Sequence, residues 1–120
     1  MKPHLHSNIH AKKYGGKPED YADIDDFLDS SKACLADVRH RALLHSAFGC
    51  FIVEQVFGRT RVNSVGKTYS PRDIAEDHIM QDLGIIPSAE MYLKNMKIEP
   101  WMSGSIKYTS KRNKLIKLED

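Results

Sequence analysis

The stretch from Ser31 to Phe57 constrains this chain most. Leu35, Val38, Ala42, His45, Gly49, Ile52 and Val56 recur at steps of three and four residues, which puts side chains on one face of an α-helix. The second half, ALLHSAFGCFIVEQVF, is apolar on nearly every side. A helix of that kind is enclosed by other elements. The pattern predicts one long central helix, stopped by Gly58, with a mainly α, compact helical domain around it and one small β-hairpin.

The flanking segments fit that plan. HSNIHAKKYGG reads as a short helix capped by Ser7 and closed at Gly15. KPEDYADIDDFLD starts with Pro18 and acids, as a helix N-terminus favours, and Tyr21, Ile24, Phe27 and Leu28 share one face. Residues 60–69 read as a hairpin turning at Asn63-Ser64-Val65-Gly66. SPRDIAEDHIMQDLG carries a cap at Ser70, Pro71 in the first turn, Asp73 in the capping-box position and Gly84 as its stop. A further short helix starts at Ser88, and Pro100 and Trp101 are expected to lay the chain back on the body. The expected organisation is one domain over 1–102 and a basic, mobile tail over 103–120.

Length suits a single core. The net charge of +2 is too small to argue for nucleic acid, but it is uneven. Residues 2–17 are basic and carry His4, His6 and His10, whereas 19–29 hold Glu19, Asp20, Asp23, Asp25, Asp26 and Asp29. The two blocks could match each other or a symmetry mate, so a homo-oligomer is compatible with the chain. Cys34 and Cys50 would lie about 24 Å apart on the long helix and are expected to be reduced, buried thiols of a cytoplasmic protein. There is no apolar run of signal-peptide or membrane-spanning length.

The polar residues of the helical segments carry the functional argument. His45 interrupts the apolar stripe one turn before Gly49, where the missing side chain lets something approach the backbone. Arg41 is one turn before His45. His78 and Asp82 are four apart and share a face, an arrangement useful in acid–base work or metal ligation. Arg72 and Glu76 are likewise four apart and read as a surface ion pair. No complete catalytic or metal motif is present: no H-E-x-x-H, no paired CxxC, no G-x-S-x-G, no P-loop and no contiguous His-Asp pair.

Three readings follow. In the first, Arg39, Arg41, His45, His78 and Asp82 bind a small anionic, nucleotide-like ligand. The guanidinium forks would hold phosphate, with Tyr14, Tyr21, Tyr69 or Trp101 available to stack on a base. In the second, His40, His45, Glu76, His78 and Asp82 converge on a divalent metal, as in a small phosphohydrolase or nuclease. In the third, the polar cluster is scaffold and the basic tail or the acidic patch binds a protein. A structural alternative stands beside the first: Arg39 and Arg41 are simply the partners of the acidic run at 19–29 and lock two helices together.

The pieces KKYGG-PEDY, F-DSSKA, D-RHRALLH---G, E-VFG, NS-GK, RDI-E-H---D-G-IP and PWM resemble a family of small uncharacterised proteins met in phage and bacterial genomes, over most of residues 7–102. The resemblance points to Arg39, His40, Arg41, His45, Glu76, His78 and Asp82. It implies a phage or prophage origin, and with that a place in the host cytoplasm; it implies no activity, and the sequestering of a host defence signal or the binding of a host protein belongs to the first and third readings. This chain departs from the family pattern at Asp25 and Ser46, where histidines are common, and at Val65, where the hairpin often has aspartate.

Overall fold

The computed structural model describes residues 2–104. The helices are α1 (Pro3–Tyr14), α2 (Glu19–Asp29), α3 (Arg41–Leu44), α4 (Ala47–Phe57), α5 (Pro71–Leu83) and α6 (Ala89–Leu93). Short 3-10 turns span Ser30–Ala33, Val38–His40 and Pro100–Ser103, and the antiparallel strands β1 (Arg61–Val62) and β2 (Thr68–Tyr69) form the hairpin. The mainly α class and the hairpin agree with the sequence reading. The tail expected from 103 onward lies, after Gly104, outside the described residues.

The single long helix does not exist. Residues 31–57 form a 3-10 turn, an irregular link, a second 3-10 turn, the one-turn α3 and then α4. The break falls at His45, whose ψ of 60° leaves the helical range, and at the extended Ser46. Ser46 caps α4 by accepting the Gly49 amide. Gly49 is essential to this corner, because a Cβ built there would come within 1.7 Å of the Leu44 carbonyl oxygen. What approaches the backbone at Gly49 is therefore the preceding turn of the same chain. Asp37 caps the 3-10 turn ahead of it by accepting the Arg39 amide.

The broken stripe has no continuous core face. Val38 and Val56 are mostly exposed, and so is Cys34. Both thiols are free, but only Cys50 is buried as expected. The apolar core is built instead from α2, α4, β2 and α5: Tyr21, Ile24, Leu28, Cys50, Val53, Tyr69, Ile74, Ala75 and Ile79. Tyr21 and Tyr69 stack edge-on within it and donate their hydroxyls to backbone carbonyls, and their burial removes both as platforms for a base. Trp101 stays about half exposed rather than sealing the body.

Local signals place the other elements. Ser70 and Gly84 cap α5 at its two ends, and Ser88 caps α6. Gly66 takes the positive φ the hairpin needs. Asn63 holds that turn by accepting the Val65 and Lys67 amides, while Asp20 of α2 accepts from Ser64. Helix α1 starts before the expected Ser7 cap; Ser7 is buried inside it and turns its hydroxyl on Asp25. Arg72 pairs with Glu54 of α4 rather than with Glu76, tying α5 to α4.

Candidate metal centre

The same helices that build the apolar core carry a polar layer one position away. On α2, Ile24 and Leu28 face the core while Asp25 and Asp29 are buried on the adjoining side. On α5, Ile74, Ala75 and Ile79 are core while His78 and Asp82 join the carboxylates. The α3–α4 corner supplies His45, and α1 covers the layer with His6, Ser7 and His10. His6, His10, Asp25, His45 and His78 are all fully buried.

His78 sits at the middle. Its Nδ1 is 2.8 Å from Asp25 Oδ1. Its Nε2 is 3.3 Å from both Asp29 Oδ1 and Asp82 Oδ2. His45 Nε2 faces the same two oxygens, 3.6 Å from Asp29 Oδ1 and 3.0 Å from Asp82 Oδ2. Two nitrogens and two oxygens thus close a ring, and one donor atom from each of the four residues lies within 4.8 Å of the others. Around a cation with bonds of about 2.1 Å, neighbouring ligand atoms sit roughly 3.0–3.4 Å apart. Three of the four edges, at 3.0 and 3.3 Å, fall in that range, and the His45–Asp29 edge is slightly longer, at 3.6 Å.

Outer partners orient these groups. Asp25 accepts from Ser7 at 2.7 Å and lies 2.9 Å from His10 Nε2, so the carboxylate behind His78 is itself fixed by α1. His6 stacks on His78 with ring centroids 3.8 Å apart, and its nitrogens contact Asp82 Oδ1 and the Gln81 amide. A carboxylate on the far nitrogen of a ligating imidazole sets its tautomer and basicity. Tyr92 of α6 donates to the His45 carbonyl at 2.8 Å and steadies the corner.

Electrostatics separates the histidines. Burial lowers the pKa of His78, but the carboxylates of Asp25 and Asp29 outweigh it and push the value up to about 9. Burial and the neighbouring His78 charge bring His45 down to about 4, against the pull of Asp82. His6 is lowered, mainly by burial. Burial works against ionising Asp25, yet its bonds to His10 and His78 hold it below the usual carboxylate range. Asp29 behaves likewise through His78. The same carboxylates therefore favour a proton on His78, and a charged His78 favours their ionised form in return. Asp29 Oδ2, His45 Nδ1 and His10 Nδ1 are buried without a hydrogen-bond partner. None of the three is an atom of the ring, which is built from His45 Nε2 and Asp29 Oδ1, so the ring geometry and not these atoms marks the ligand site.

The residues singled out from the sequence fall in two places. His45, His78 and Asp82 come together in the buried ring. His40 is buried beside them, bonded to Ser31, with its ring 6.0 Å from that of His45. Glu76 is half-buried outside the ring. Arg39 is exposed and tied to Asp37, and Arg41 lines a surface groove. Neither arginine pairs with the acidic run; Arg61 of β1 reaches Asp23 instead. Sequence reasoning missed Asp29, Asp25, His6 and His10. A signal existed: His6/His10, Asp25/Asp29 and His78/Asp82 are each four apart, so three helices present paired histidine or carboxylate side chains on one face.

Fold and site together define a small helical domain with a buried histidine–aspartate centre. The chain belongs to the family described as a domain of unknown function (DUF6915), which it matches over residues 1–102. No curated protein and no solved structure matches it significantly. Among the described residues, no helix is long and apolar enough to cross a membrane.

Proposed function

We propose that this protein is a divalent-metal protein, with His45 Nε2, His78 Nε2, one oxygen of Asp29 and one of Asp82 as ligands. The observation that carries the reading is the ring of two nitrogens and two oxygens with edges of 3.0–3.6 Å, drawn from three separate parts of the chain. A mixed imidazole–carboxylate set suits zinc, manganese or iron better than calcium or magnesium. Two carboxylates and two neutral imidazoles would balance a divalent charge. Asp25, His10 and His6 form the supporting layer, holding His78 and Asp82 in register. The chemistry such an ion supplies is Lewis-acid polarisation and activation of a bound water, the basis of metal-assisted hydrolysis.

Metal analysis of untagged protein tests the reading. One zinc, manganese or iron per chain is expected after purification or after reconstitution and desalting. Asp29→Asn and His45→Gln should lose it while remaining folded. A chain that stays metal-free after incubation with each of these ions, and whose melting temperature none of them raises, would rule the centre out.

A further inference from the structure

A second feature lies outside the ligand ring. The 3-10 turns and α3 enclose an open groove of about 400 Å³, lined by Lys32, Ala36, Asp37, Val38, His40 and Arg41. Its one carboxylate is already neutralised, because Arg39 chelates Asp37 through Nε and a terminal nitrogen at 2.7–3.2 Å. Lys32 and Arg41 make no ion pair among the described residues. Two cations without an ion-pair partner therefore border a hollow of ligand size, although the Lys32 charge also acts on the buried Asp29 carboxylate. Ala36 and the largely exposed Val38 add an apolar wall. His40 is shared between the groove and the buried layer, since its ring also packs edge-on against His45.

We infer that this groove binds a small organic phosphate monoester, its phosphate between Lys32 and Arg41 and its apolar body on Ala36 and Val38. Arginine offers a planar fork to phosphate oxygens and lysine a point charge, and together they balance a dianion. The inference goes beyond the metal centre and does not depend on it, because none of the four ligand atoms lines the groove. It also gives Arg39 a stated role. Arg39 holds the carboxylate that would otherwise repel the ligand.

The experiment is a titration of phenyl phosphate and, separately, inorganic phosphate into the EDTA-treated full chain, followed by amide NMR and calorimetry. Phenyl phosphate is expected to shift the amides of Lys32, Ala36, Val38 and Arg41, and to bind more tightly than inorganic phosphate. Lys32→Ala/Arg41→Ala should weaken it about tenfold or more, as the loss of charged hydrogen bonds implies. Asp37→Asn should bind at least as tightly as wild type, since Asn keeps the cap and removes the negative charge. The inference is overturned if millimolar phenyl phosphate leaves the groove amides unmoved, if the shifts fall elsewhere, or if the folded double variant binds as wild type does. Inorganic phosphate binding as tightly as phenyl phosphate would also overturn it, because the apolar wall would then recognise nothing. Phosphate binding in a chain that takes up no metal would support the groove and refute the centre, so the two ideas fail separately.

Discussion

Helices α2 and α5 each bury two kinds of surface, and the contrast between them explains the molecule. One side of the pair is apolar: Ile24 and Leu28 meet Ile74 and Ile79 in the core with Val53 and Cys50. The other is ionic: Asp25 and Asp29 meet His78 and Asp82. The apolar side is stabilised by area removed from water and has no directional demands. The ionic side gains little net stability, because desolvating its charges offsets most of their attraction, and it tolerates no missing partner. A chain that places such a layer against its core commits itself to one arrangement of α1, α2, α5 and the corner at His45.

The largest effect should come from Asp25. It is fully buried and serves Ser7, His10 and His78 at once. Asp25→Ala strands three polar groups and should cost about 4 kcal/mol, measured by urea unfolding. Ile74→Ala on the apolar side should cost about 3 kcal/mol through the cavity it leaves. The two variants differ most clearly under metal. Saturating zinc or manganese should raise the melting temperature of Ile74→Ala as much as that of wild type, while Asp29→Asn should not respond. Equal responses in both would erase the distinction between the two sides.

The corner joins the two sides, and Gly49→Ala tests it. The new methyl must displace the Leu44 carbonyl, at a cost of about 3 kcal/mol. Because His45 sits on that corner, metal affinity should fall along with stability. A smaller loss, about 1 kcal/mol, is expected for Ser70→Ala, which removes the α5 cap but touches neither buried surface. The smallest response belongs to Cys50. Burial pushes its thiol up to about 11, so at pH 8 it stays protonated and enclosed. Iodoacetamide should modify the exposed Cys34 in the native protein and leave Cys50 intact until denaturant is added, as peptide mass spectrometry would show. Equal labelling of both would mean that the apolar core opens far more readily than its packing implies.

Local chemistry was legible wherever a short stretch decides the outcome. Ser70-Pro71 and Gly84 bound α5, Gly66 turns the hairpin, and Tyr21, Ile24 and Leu28 mark the inner face of α2, because caps, turns and periodicity act over a few residues. The 3-4 stripe from Leu35 to Val56 misled for a physical reason. Periodicity reports which side chains would align if the helix were unbroken, and it is blind to a carbonyl folding back against Gly49. Ser46, a capping residue just ahead of an apolar run, was the local mark of that corner.

The sequence by itself determined the helical class, the ends of α5, the hairpin and the presence of His45, His78 and Asp82 as residues of unusual placement. Only the tertiary structure decided that Asp29 completes their ring, that Asp25, His6 and His10 stand behind it, and that Arg39 and Arg41 lie outside it. Pairs four apart on one helix are a local fact; their convergence depends on how α1, α2, α5 and the corner pack. That packing is set by apolar burial over the whole core, and the ionic layer takes its geometry from it.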